Sequence, residues 1–249
     1  MISQSHSWRQ WAFLWIAFAC VQFVVLTFLA MFFYPGGTTI GLTKSGYSFV
    51  HNFFSELGLT ESLDGQSNII SAILFAVSMT LAGSGLGVFF LAFPQSFTRS
   101  SITQFLSWSR AILGALSGLF FVGVALTSAD LFLEVHYICM LFAFIFFLLA
   151  VISFILSIII EKRYPNRLAL AFVGFAVLLI GYLVLVTQGP PADLPMGRMT
   201  QAVGQKIIGY ASVISIFIQT QCVRKLQKQS IARDHVWDLS NRVRLSHIK

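Results

Sequence analysis

Val135 to Ile160, VHYICMLFAFIFFLLAVISFILSIII, is the stretch whose reading decides the fold. It contains no Asp, Glu, Lys or Arg, and at 1.5 Å per residue it is long enough to cross a hydrocarbon core of about 30 Å. Five further stretches of spanning length flank it: Trp11 to Phe33, Asn68 to Phe93, Ala111 to Ser128, Leu168 to Thr187 and Thr200 to Val223. Lys206 in the last is the one full charge within them. The runs are far longer than the alternating ten-residue strands of a membrane barrel, and a helix satisfies its own backbone in lipid. The sequence thus predicts an all-α, polytopic membrane bundle of six transmembrane helices over residues 1–223, with a basic cytoplasmic tail over 224–249.

Composition supports lipid as the solvent. The chain is 57% hydrophobic and 10% charged, too little polar surface to cover a water-soluble globule of 249 residues. The net charge of +7 follows no nucleic-acid motif or amphipathic basic face, so no nucleic-acid partner is expected. Cys20, Cys139 and Cys222 all fall in apolar runs without paired spacing, which suggests packing rather than a disulfide framework. Arg9 precedes the first run in the manner of a signal peptide. That run is too long and lacks a small-x-small cleavage site, so it is read as retained.

Charge sets the orientation. With the N-terminus inside, Arg9, Arg99, Arg110, Lys162, Arg163, Arg167 and the tail cations Arg224, Lys225, Lys228, Arg233, Arg242, Arg244 and Lys249 are cytoplasmic. Lys44, Arg198 and Lys206 lie outside. This places thirteen of the 16 Lys and Arg residues within, a strong positive-inside pattern that puts both termini in the cytoplasm of a cell-membrane protein. Six of the nine acidic residues fall on the outer side. The tail cations would sit against anionic membrane lipids. Gly83-x-x-x-Gly87 and Gly114-x-x-x-Gly118 each place two glycines on one helix face and predict close helix packing within the chain.

The outer connections carry the chemistry. Tyr47 to Leu59, YSFVHNFFSELGL, is too short to span and too apolar for water, which predicts a short interfacial or re-entrant helix between the first two spans. His51 and Ser55 would share one face, with Glu56 beside them. The third-to-fourth connection, LTSADLFLEVHY, brings Asp130, Glu134 and His136 to the same boundary. Glu134 and His136, two apart, cannot face the same way. Lys206 lies just below the outer surface and is expected to pair with Asp130 or Glu134. Together His51, Ser55, Glu56, Asp130, Glu134, His136 and Lys206 form the candidate binding pocket.

The strings HNFFSELGL, GLFFVGVALTSADLFLEVHY and GQKIIGY resemble the signature regions of the bacterial six-helix membrane proteins grouped as domain of unknown function 998. A more distant likeness extends to the DRAM and Sfk-like proteins. The matching residues are Ser55, Glu56, Leu57 and Gly58, then Gly123, Asp130 and His136, then Lys206, where the family more usually has Arg. Thr127, Ser128 and Ala129 stand where the family has Pro before its acidic residue. The resemblance implies the six-helix fold and leaves the reaction open.

Two functions compete on these residues. The first is binding of a lipid headgroup, small amphiphile or partner subunit in an outward-facing polar pocket. The second is an intramembrane metal-dependent hydrolase acting on a lipid ester or amide, with His51, Asp130 and His136 holding a divalent metal such as zinc and Ser55 or Glu56 assisting. A transporter ranks last, because the ionisable residues lie near the outer boundary rather than the midplane.

Overall fold

A computed structural model describes residues 2–38, 45–92, 101–161 and 166–246, with side chains described over 8–38, 45–92, 101–160 and 169–225. The fold is an all-α bundle of six long helices: α1 (Ile2–Phe33), α2 (Ile69–Ala92), α3 (Ser101–Leu126), α4 (Leu133–Glu161), α5 (Asn166–Gln188) and α6 (Pro195–Ser246). Each contains a segment long and apolar enough to cross a membrane. No strand occurs among the described residues, only the isolated bridges Gly36 to Ser45 and Glu61 to Ser67. The expected span end Phe93 and the loop cations Lys44, Arg99, Lys162, Arg163 and Lys249 lie outside the described residues.

The second, fourth and fifth expected spans match their helices to within a few residues, while α1 starts at Ile2, well before Trp11. The third differs, because its helix starts at Ser101, ten residues before Ala111. Arg110, expected in a cytoplasmic loop, is instead a buried residue of α3. Its guanidinium bonds the Ser107 hydroxyl at 3.1 Å and lies 4.7 Å from the Phe154 ring centre. A cation covered by an aromatic face and a hydroxyl can be carried inside a helix that composition alone would start after it. Helix α6 likewise runs on past Val223 through the basic segment to Ser246.

Sequential helices pack against one another, and α1 against α6 closes the arrangement. In lipid, burial of apolar surface from water does not hold helices together, so shape has to. The paired glycine motifs supply it. A Cβ on Gly83 would sit 2.6 Å from the Gly118 carbonyl oxygen, so α2 and α3 touch backbone to backbone, as the two motifs predict. Phenylalanines fill the interior of α2, α4 and α5: Phe89 and Phe90 meet at 5.0 Å, Phe147 and Phe175 at 5.0 Å, and Phe154 and Phe172 edge to face at 5.1 Å. Leu119, Phe105, Val177 and Leu170 point outward, each more than 60% exposed.

The segment between α1 and α2 folds back over one end of the bundle. The expected thirteen-residue helix is only partly formed: a turn at Phe49–Asn52 leads into a 3-10 helix over Phe54–Gly58. Side-chain bonds explain why the helix is short. The Asn52 amide oxygen accepts the Ser48 N–H at 2.8 Å, while the Gln205 carboxamide oxygen accepts the Phe54 N–H at 2.6 Å, so backbone donors are claimed by side chains. Phe54 and Leu57 then plug into Phe23, Tyr34 and Phe75 from α1, its end and α2.

Candidate functional site

The folded-back segment, the α3–α4 connection and the first turns of α6 meet at this end of the bundle. Their contacts form three adjoining parts: a buried ionic cluster, a loop-to-loop clasp and an apolar cavity beneath both.

The ionic cluster is built on α6. Arg198, Ala202, Lys206 and Gly209 follow one another at helical spacing along the face turned to the segment. Arg198 forms an ion pair with Glu56, donates from Nε to the His51 carbonyl at 2.9 Å and lies 5.0 Å from the Phe53 ring centre. The second Glu56 oxygen accepts the Asn52 amide at 2.7 Å, and the same amide reaches the Gly37 carbonyl at 2.9 Å. Gly37 has φ +84°, and a Cβ there would lie 2.7 Å from the Leu63 carbonyl carbon, so the turn that presents this carbonyl needs glycine. Burial pushes the Glu56 carboxyl up from its ordinary value, against the opposing pull of Arg198 and Asn52.

Lys206 is 1% exposed. Its ammonium donates to the Asn52 carbonyl and, at 3.0 Å, to the Ala202 carbonyl, and it lies 5.3 Å from the ring centres of both Tyr47 and Phe49. This corrects the expected pairing with Asp130 or Glu134. Backbone carbonyls and ring faces hold Lys206, because Asp130 is claimed elsewhere and Glu134 is exposed on the outer side of α4.

The clasp uses Asp130. Its carboxylate accepts the Thr60 N–H at 2.8 Å, the Thr60 hydroxyl at 2.6 Å and the Glu61 N–H at 3.3 Å. The Ser128 hydroxyl sits between this carboxylate and the Gly58 carbonyl, 2.6 Å away. Partial burial acts to raise the Asp130 carboxyl, but the hydroxyl and N–H donors together outweigh it and hold it below the usual carboxylate range.

The cavity lies between α1, α2, α3, α4 and α6, and together with the space open at its mouth it has about 880 Å³ not filled by protein atoms. Its wall is almost wholly apolar, with Phe23, Phe75, Met79, Phe121, Met140 and Phe147 among the larger members. Ser55, His136 and Gln205 are its polar residues nearest the folded-back segment, and Ser212 lies two turns deeper on α6. His136 is buried, its Nδ1 2.5 Å from the Thr127 carbonyl oxygen. A carbonyl can only accept, so Nδ1 carries a proton, and in the neutral ring Nε2 is then an acceptor.

The candidate residues therefore separate. Ser55 and His136 line one cavity; Glu56 and Lys206 share the ionic cluster; Asp130 joins the two connections. His51 contributes its carbonyl to Arg198, while its ring Nδ1 is 3.1 Å from the Ser48 hydroxyl. Among the described residues no group of three His, Cys, Asp or Glu side chains could hold a metal, so the expected ligand set of His51, Asp130 and His136 is not assembled. Each has a separate local partner that turns it away from the others.

Arg198 and Asn52 are the site residues that sequence reasoning missed. Arg198 was placed among loop charges. Pro195, a favoured first helical residue, and the spacing of Arg198, Ala202 and Lys206 carry the signal that the helix begins before it. No family model, curated protein or solved structure matches the chain. The fold and the site define a six-helix bundle with an apolar cavity under a polar, ion-paired cover.

Proposed function

We propose that this is a multi-pass protein of the cell membrane, with both termini cytoplasmic, that binds a membrane amphiphile in the cavity beneath the folded-back segment. The carrying observation is the cavity itself, apolar along its length and provided with Ser55, His136 and Gln205 at one end. An amphiphile matches that division, its chain among the phenylalanines and methionines and its head at the polar end. The outward-facing leucines and phenylalanines support lipid as the surrounding medium, since a water-soluble chain of this size would not expose so many. The thirteen inner cations support the orientation, which puts the covered end outside. The resemblance to the domain of unknown function 998 proteins is kept as part of this reading, carried by the SELG segment and the Asp130 and His136 stretch that here cover the cavity.

Native mass spectrometry of the purified protein tests the reading. The wild type should retain an adduct of lipid size. Gly209 lines the cavity, and a first side-chain carbon there meets the Phe54 ring at an ordinary 3.6 Å, so Gly209→Leu should fit the helix and fill the space. That variant should melt as the wild type does and lose the adduct. A wild type without adduct, or a variant that keeps it, would remove the binding reading.

A further inference from the structure

The cavity is more selective than an apolar hole. No Asp, Glu, Lys or Arg lines it. The charged groups nearby are engaged elsewhere: Arg198 with Glu56, Lys206 with two backbone carbonyls, and Asp130 with Thr60, Glu61 and Ser128. An ionised head inside the cavity would thus meet no standing counter-charge, the His136 ring being the one lining group that could take up a proton in answer, and leaving a charge unpaired in an apolar site is costly.

The polar groups left open define what the head must offer. Gln205 is already committed, its carbonyl oxygen to the Phe54 N–H and its amide beside the Tyr182 hydroxyl. Ser212 donates back to the Ile208 carbonyl at 2.7 Å. Two groups remain: the Ser55 hydroxyl, which makes no hydrogen bond among the described residues, and Nε2 of His136, an acceptor in the neutral ring whose Nδ1–H serves Thr127. An acceptor and a hydroxyl that line one cavity are answered by a head that both donates and accepts. A phosphate diester, sulfate or quaternary ammonium cannot donate a proton to Nε2.

We propose that the occupant is an uncharged long-chain lipid with a hydroxyl head, which donates to His136 and exchanges a hydrogen bond with Ser55. A fatty alcohol and a monoacylglycerol share this chemistry. The inference rests on the reading of the cavity as a binding site, and the experiment separates the two.

Full-length protein in phosphatidylcholine nanodiscs is loaded with tritiated oleyl alcohol, and unlabelled competitors are added at equal mole fraction. Oleyl alcohol and monoolein should displace the label; oleyl sulfate, with the same chain, should compete at least about a hundredfold more weakly. His136→Phe and Ser55→Ala should each weaken the alcohol by roughly tenfold. Neither should change retention of the headless 9-octadecene, which also reports that the cavity is intact. Equal competition by oleyl sulfate, or unchanged alcohol binding in both variants, would overturn the hydroxyl head while leaving the binding site in place. Absence of displaceable label together with retention of no long-chain probe would overturn the site and the inference alike. Selective displacement by oleyl alcohol over monoolein, or the reverse, supports the hydroxyl head and tells which source fits.

Discussion

The phenylalanine stack among α2, α4 and α5 and the covered end around Arg198 reach similar burial by opposite means. In the stack, Phe89, Phe147, Phe154 and Phe172 fill space, and one ring can shift to accommodate another. At the covered end each buried group depends on one or two named partners: Glu56 on Arg198 and Asn52, Lys206 on the Asn52 and Ala202 carbonyls, Phe54 N–H on Gln205. The first region tolerates exchange of like for like. The second behaves as a lock, since removing one member strands another. That contrast explains how a segment with so many polar groups can be held over an apolar cavity.

The largest effect should come from the lock. Glu56→Ala leaves the Arg198 guanidinium, which cannot give up its proton, buried without a carboxylate, and should cost about 3–5 kcal/mol in chemical unfolding of the solubilised protein. Arg198→Met should cost clearly less, because Glu56 can take up a proton and Lys206 stands nearby. Equal losses would mean that the pair is not buried as described. On the apolar side, Gly118→Val forces a side chain against the Gly83 backbone and should cost about 1–3 kcal/mol, a penalty read in the same unfolding assay. A loss no larger than that of Leu119→Ala, at an exposed position, would contradict the backbone contact between α2 and α3.

Much of this contrast was legible in the sequence, but not evenly. The six spans follow from apolar length alone, a property of each segment by itself. The folding back of Tyr47 to Leu59 follows from a segment too apolar for water and too short to cross. The opposed directions of Glu134 and His136 follow from their spacing, and the structure leaves one exposed and the other buried. Partners were not legible. The Glu56 and Arg198 pair joins positions 142 residues apart, and nothing local distinguishes Arg198 from an ordinary loop cation. Arg110 falls inside α3 rather than before it for the same reason: its cover, Phe154, belongs to another helix. The expected metal set of His51, Asp130 and His136 is not assembled because each has a local hydrogen bond that the sequence does not display.

A smaller effect should separate the clasp from the lock. Asp130 is held below the usual carboxylate range in the folded protein, so its contribution is present above the unfolded value and is lost as pH falls through the folded one. Asp130→Asn should lower stability at neutral pH by about 1 kcal/mol, discounted for its exposure, and should flatten the acid limb of a melting-temperature profile. An acid limb unchanged by the substitution would assign that pH response to other carboxylates.

The central claim is that the cavity under the covered end holds the chain of an amphiphile, and photolabelling tests it most directly. A long-chain alcohol bearing a diazirine near its tail is added to the protein in nanodiscs, irradiated, and the modified residues are located by peptide mass spectrometry. The account predicts labels on Met79, Phe121 and Met140 of the cavity wall, suppressed by excess oleyl alcohol and absent in Gly209→Leu. Labels confined to the outward-facing Phe105, Leu119 and Val177, unaffected by competitor, would show that the alcohol meets only the lipid-facing surface and would contradict it.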